Sequence, residues 1–280
     1  MKIQNLINEG GKELKKNNIS SYVLDSEILL SKIMNKDRKY LILNPGKEVE
    51  NEKLIIFKKF IYQRSLGKPI AYILKKKEFW KHNFVVNKGV LIPRPETEII
   101  VDEVLKLTTS NSSKQILDVG TGSGCILLSI IKERPKCHGI AIDICKKALN
   151  FAKINAKMHH LENKIKFINI DIDKFSHNKY DFIVSNPPYI TESYIKRLDY
   201  DIRYYEPITA LKAGFDGLSE IKKLITKSKT LLKKNGKLIF EISYNQLHEV
   251  SKMLFKNSFF VNKICKDFQS YPRVIVCSKL

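Results

Sequence analysis

Ile116-Leu117-Asp118-Val119-Gly120-Thr121-Gly122-Ser123-Gly124 decides how this 280-residue chain folds. An apolar run ends in a glycine-rich turn and opens into an apolar segment from Cys125, the pattern of a strand, a tight loop and a helix. Glycines let the backbone turn sharply and approach a ligand closely. The N–H groups at the start of the following helix favour an anion or a carboxylate. The spacing is Gly120, Gly122, Gly124 rather than the GxGxxG of dinucleotide sites. By itself such a loop discriminates weakly, because phosphate-binding loops use similar glycines.

Beyond residue 114 the chain alternates strand and helix signals. Strands are expected at residues 115–119, 138–142, 164–169, 180–185, 237–242, 259–264 and 273–277. Such alternation implies a mainly parallel sheet with helices on both faces. Only a short loop, 265–272, joins the last two strands, which makes them antiparallel neighbours.

Several acids fall at the carboxyl ends of these strands, where open α/β sheets bind ligands. Asp118 precedes the first glycine by two residues, placed either to hold the cationic end of a cofactor or to brace the turn. Thr121 and Ser123 complete the loop. Asp143 closes the second strand and can accept both hydroxyls of a ribose, or cap the helix starting near Cys145. Asp171-Ile172 follows the third strand. Asp171 can accept from an adenine amino group with Ile172 against the ring, or serve as a turn acid.

After the fourth strand comes Asn186-Pro187-Pro188-Tyr189. Two prolines fix φ and stiffen the loop. A stiff loop can offer the Asn186 side chain and the Pro187 carbonyl as two acceptors for one NH2 group, with Tyr189 against a planar target. An amide nitrogen is a poor nucleophile because its lone pair is delocalised. Two acceptors on its hydrogens favour pyramidalisation and aim that lone pair, so positioning and local dipoles carry the rate.

Upstream, residues 1–74 read as a small helical domain, with apolar residues such as Leu29, Ile33, Phe57 and Ile61 at helical spacing. Residues 75–95 read as a β-hairpin linker: Phe84-Val85-Val86 and Val90-Leu91-Ile92 flank a turn at Asn87-Lys88-Gly89. The catalytic domain is then 96–280, beginning with a helix at 96–107.

Lys and Arg number 50 against 29 Asp and Glu, for a net charge of +21. The lysines are scattered, so the charge reads as solvated faces rather than a specific nucleic-acid site. Five cysteines form no CxxC pair, which argues against a zinc site or disulfide framework, and no metal is expected. No apolar run is long enough to span a bilayer, and residues 1–16 lack a signal core. A cytoplasmic location without membrane contact is expected.

Taken together, these residues resemble the HemK/PrmC family, the release-factor glutamine N5-methyltransferases. Leu91-Ile92-Pro93-Arg94-Pro95-Glu96-Thr97-Glu98 is similar to that family's signature. Gly67 to Ile73 with Glu78-Phe79-Trp80, the loops at Asp118–Gly124 and Asn186–Tyr189, Glu206-Pro207 and Asp25-Ser26-Glu27 also fit. The resemblance implies a class I methyltransferase with a Rossmann-like seven-stranded sheet, S-adenosyl-L-methionine as cofactor, and transfer to the glutamine of the Gly-Gly-Gln loop of class-1 peptide-chain release factors. Residues 1–74 carry none of the residues assigned to cofactor or chemistry, so their expected role is substrate recognition, with shielding of an apolar flank of the catalytic domain as the alternative. The alternatives are the sister ribosomal-protein glutamine methyltransferases, adenine N6-methyltransferases acting on a flipped base, and a non-catalytic binding protein. The chain departs from the family at Ser243, where glycine is usual after Glu241, at Ile172, where an aromatic is common, and in the loop 267–273.

Overall fold

The computed structural model describes residues 1–280 and divides into two compact units. The first comprises Met1–Lys76 together with Asp199–Tyr205. It is helical, with helices Ile3–Lys16, Tyr22–Met34, Arg38–Leu43, Asn51–Ser65 and Ile70–Leu74. Their apolar faces bury Ile3, Leu6, Leu14, Leu29, Leu30, Phe57 and Ile61 in one core. Asp25 and Arg64 are also buried there, paired at 2.6 Å. The helix Tyr200–Tyr205 joins this unit: the Tyr205 hydroxyl donates to the Leu66 carbonyl at 3.0 Å. No helix of the chain is long and apolar enough to cross a membrane.

The second unit, Lys77–Leu198 with Glu206–Leu280, is built on a seven-stranded sheet. Its strands follow a two-stranded hairpin, β1 (Lys76–Phe79) and β2 (His82–Val85). They are β3 (Gln115–Val119), β4 (His138–Asp143), β5 (Ile165–Asn169), β6 (Tyr180–Ser185), β7 (Leu232–Glu241), β8 (Phe259–Lys266) and β9 (Pro272–Lys279). The order across the sheet is β5-β4-β3-β6-β7-β9-β8. Pairings through β7 are parallel, and β9 is antiparallel to both β7 and β8. This is the Rossmann-like class I methyltransferase sheet. Strand residues alternate between two cores: Ile116, Val184, Ile239 and Val274 on one face, Leu117, Ile183, Phe240 and Ile275 on the other, as the two-residue period of a strand requires. The chain builds outward from β3 to β5 and then returns to β6, so the strand order reverses beside β3. Ligands bind in open sheets at such a reversal.

The hairpin differs from the sequence expectation. Its turn is Trp80-Lys81, between β1 and β2, rather than Asn87-Lys88-Gly89. Trp80 has φ 56°, unusual for a bulky residue, and remote partners hold it there. Its N–H donates to Glu98 Oε1 at 2.7 Å and its indole to Glu133 Oε1 at 3.1 Å. Residues 90–92 form no strand; the Ile92 N–H, which a ladder would use, donates instead to Glu206 Oε2 at 3.2 Å.

Candidate active site

A cavity of about 390 Å3 opens over the carboxyl ends of the central strands. The glycine loop, Asp143, Ile144, Ile170 to Ile172, Asn186 to Pro188, Thr97 and Ile208 are among its lining residues. Loops after β3, β4, β5 and β6 therefore meet there, bringing together most of the residues singled out in the sequence.

The glycine loop is held from within. The Gly120 and Thr121 N–H groups donate to the Ile142 carbonyl, and Gly124 N–H donates to Thr121 O. Gly122 N–H donates to Asp143 Oδ2 at 2.9 Å. Four amides of the loop itself are thus engaged within the protein, and these residues contribute shape. Gly120 has φ 70°, and a Cβ built on it meets nothing within 4 Å. Gly124 has φ 82°, and a Cβ there would come within 2.8 Å of Leu128, so it lets the helix Cys125–Glu133 start close under the loop.

Asp143 uses both carboxylate oxygens: Oδ2 for Gly122 and Oδ1 for Cys145 N–H at 2.8 Å. It braces the loop and the start of the helix Lys146–Met158 while facing the cavity. Burial raises its pKa, against those two N–H donors. Asp118 lies near the end of β3. It is fully buried, lies outside the cavity lining, and accepts from Thr121 Oγ1 at 2.6 Å. Burial pushes it up to about 7. Because β3 turns this side chain inward, its geometry supports the turn-bracing role. Asp171 caps the short turn Ile172–Lys174 by accepting from Asp173 N–H at 2.9 Å, and with Ile172 it lines the cavity.

Asn186 is fixed by a network that sequence reasoning did not anticipate. Its Nδ2 donates to Thr97 Oγ1 at 2.9 Å. Thr97 in turn donates to Glu241 Oε2 at 2.6 Å, and the Tyr189 hydroxyl donates to Glu241 Oε1 at 3.3 Å. Glu241 and Thr97 are buried. Burial raises the Glu241 carboxyl to about 7, against the Thr97 hydrogen bond and the Arg273 charge. Burial, and then the neighbouring Glu241 charge, raise the Tyr189 phenol. Tyr189 does not line the cavity; its ring packs on the core beneath. Gln246 supports the loop's exit, with Nε2 donating to Tyr189 O at 3.4 Å and to Gly217 O at 2.9 Å.

The segment Arg94 to Glu98 is a junction. Arg94 pairs with buried Glu206 at 2.5 Å, Thr97 with Asn186 and Glu241, and Glu98 with the hairpin turn at Trp80. Asn155, itself buried, spans Val85 and Ser123: its amide donates to both carbonyls and accepts from Val85 N–H. The departures at Ser243 and in the 267–273 loop are absorbed locally. Ser243 keeps a negative φ and donates its N–H to Gln246 Oε1. Asp267 accepts from the N–H groups of Gln269 and Tyr271 and from Arg273 Nε.

The residues present fit S-adenosyl-L-methionine. The open side of Gly120 leaves room for a close ligand, Asp143 stands where a ribose acceptor belongs, and the ledge of Ile144, Ile170 and Ile172 suits an adenine.

Residues 5–74 match the PrmC N-terminal domain, and residues 110–278 match a methyltransferase domain. A release factor glutamine methyltransferase of Clostridium acetobutylicum is 40% identical over 279 residues, 99% of this chain and 98% of that protein. Its Clostridium botulinum counterpart is 38% identical with both chains fully covered. A bifunctional methyltransferase of Rickettsia bellii is 36% identical, and this chain spans 54% of its length. Among solved structures, a ribosomal protein L11 methylase from Lactobacillus delbrueckii shares the fold, with a TM-score of 0.51 and 19% identity over 72% of this chain and 89% of that one. By sequence over its whole length, the chain belongs to the release factor glutamine methyltransferase family.

Proposed function

We propose that this protein methylates the side-chain amide nitrogen, N5, of the glutamine in the Gly-Gly-Gln motif of class-1 peptide-chain release factors, and so modulates translation termination. The observation that carries the reading is the orientation of Asn186. Its NH2 is committed to Thr97, so its side-chain oxygen is left as an acceptor beside a cavity. With the Pro187 carbonyl, it can hold both hydrogens of one NH2 group.

When bound, S-adenosyl-L-methionine supplies an electrophilic sulfonium methyl. The chain's own residues supply the rest. Asp143, Asp171, Ile172 and the loop from Gly120 to Gly124 shape the cofactor's seat, with Asp118 acting through Thr121. Asn186 and the stiff Pro187-Pro188 turn hold the target NH2 so that its lone pair points at the methyl. Positioning and oriented dipoles provide the rate gain. No strong base is needed, since the amide proton can leave after transfer.

The helical unit, residues 1–74, contains none of these groups and serves substrate recognition. A glutamine on a loop offers little surface, and a specific protein complex needs several hundred Å2 on each partner. The hairpin residues 75–95 link it to the methyltransferase domain, 96–280. The substrate is a cytoplasmic protein, and specific nucleic-acid binding is not part of this reading. Methyl incorporation from labelled cofactor, measured in parallel on a release factor, ribosomal proteins and duplex DNA, tests it. Incorporation confined to the release factor supports the reading; incorporation into adenine or only into ribosomal protein sinks it.

A further inference from the structure

We infer that Glu241, which does not line the cavity, sets the direction in which the Asn186 amide points, acting through the hydroxyl of Thr97. The inference rests on the reading of Asn186 as the acceptor for the target NH2. Thr97 has one hydroxyl hydrogen, and it donates that hydrogen to Glu241 Oε2 at 2.6 Å. Toward Asn186, at 2.9 Å, Thr97 can then only accept. Asn186 must present its NH2 to Thr97 and turn its oxygen the other way.

The two ends of an amide are nearly the same shape, so shape alone would not choose between them. A reversed amide would point two N–H groups at the target's own N–H groups. Glu241 removes that choice. It is buried, and its second oxygen accepts from the Tyr189 hydroxyl at 3.3 Å, so the ionised carboxylate, the form present above about pH 7, stays aimed at Thr97 as an acceptor. The direction of hydrogen bonding is thus passed from Glu241 at the end of β7, through Thr97, to the loop after β6. Glu241 and Thr97 are positioning residues for Asn186.

A charge-relocating pair separates this role from a merely structural one. Glu241→Met removes the acceptor and frees the Thr97 hydrogen to bond the Asn186 oxygen, which permits the wrong orientation. Asn186→Asp alone sets a carboxylate against a Thr97 oxygen whose hydrogen is already committed. In the double variant the freed hydrogen meets the carboxylate at 186, whose other oxygen faces the target as an acceptor. The assay, run above about pH 7 where Glu241 is ionised, is methyl transfer by the full chain to a release factor, with cofactor affinity and melting temperature measured on each variant.

We expect each single variant to lose on the order of 100-fold in kcat with cofactor affinity little changed, and the double variant to exceed both. Thr97→Val, which has no hydroxyl, should lose similarly, while Thr97→Ser should keep most of what Thr97→Val loses. If Glu241→Met does not fold, the Thr97 pair decides. The inference is overturned if Thr97→Val turns over like wild type, or if the double variant is no better than the worse single one, while Asn186→Ala is inactive. Activity in Asn186→Ala would instead overturn the reading of Asn186 itself.

Discussion

Asp143 at the end of β4 accepts a hydrogen bond from the backbone of Gly122, in the loop after β3, at 2.9 Å. The acid expected to read a ribose is therefore also a brace of the glycine loop, and its second oxygen holds Cys145 N–H at the start of the next helix.

Asp143→Ala should therefore show two losses. Cofactor binding should weaken by about 1.5–3 kcal/mol, the scale of hydrogen bonds to a charged group. The melting temperature should drop as well, since a lost helix-start acceptor costs about 1 kcal/mol. Calorimetry and thermal melts measure both. Unchanged affinity with a lowered melting temperature would reduce Asp143 to a brace.

Gly120 separates the two effects in the opposite sense. Its Cβ direction is open, so Gly120→Ala meets no protein atom and costs only the left-handed backbone, about 1–2 kcal/mol. Its methyl projects into the space assigned to the cofactor. Affinity should fall further than stability does. Gly124→Ala, which would press on Leu128 at 2.8 Å, should be the more destabilising of the two. A Gly120→Ala protein that binds cofactor like wild type would move the ligand off this loop.

Glu241 should make stability pH-dependent in a defined direction. Burial raises its carboxyl from an ordinary 4.5 to about 7, with Glu96 adding to the rise, while Thr97, Tyr189 and Arg273 oppose it. Between those values the folded protein holds a proton that the unfolded chain releases. The group's contribution is thus fully present below the lower value and lost as pH rises through the upper one. Glu241→Gln does not titrate. Wild-type stability relative to Glu241→Gln should fall between about pH 4.5 and about pH 7. A denaturation series showing a constant or rising difference would contradict the buried, proton-holding carboxyl.

The seven-stranded sheet was legible because strand and helix periods alternate cleanly after residue 114, and six of the expected strands begin within one residue of the observed ones. The exception is β7, which starts at Leu232 rather than 237. The hairpin was misplaced because Asn87-Lys88-Gly89 carries the local turn signal, whereas the turn that forms depends on Glu98 and Glu133, residues remote in sequence. Asp118 was visible as a candidate, but two positions before a glycine does not say whether a side chain enters the cavity or the core. Thr97 and Glu241 lay inside quoted motifs, yet their contact spans 144 residues, and no local pattern announces a bond of that range.

The recognition role proposed for the helical unit makes its own prediction. Ile42, Leu43 and Ile55 on that unit are 63%, 68% and 71% exposed, so charging them should not disturb its core. Among Ile42→Glu, Leu43→Glu and Ile55→Glu, at least one should lower kcat/KM on an intact release factor by about tenfold, an effect of about 1.4 kcal/mol, with little change on a short Gly-Gly-Gln peptide. If all three leave intact-protein methylation untouched, or slow peptide and protein alike, docking lies elsewhere.

The most direct measurement is the location of the methyl group. A class-1 release factor incubated with this protein and S-adenosyl-L-methionine should yield one fragment, containing Gly-Gly-Gln, that carries a single methyl on the glutamine side-chain nitrogen by tandem mass spectrometry. The same reaction with Asn186→Ala, folded and cofactor-competent, should be slower by about 100- to 1000-fold. A methyl found on any other residue, or an Asn186→Ala protein that turns over like wild type, would contradict the assignment of this loop as the amide-holding site.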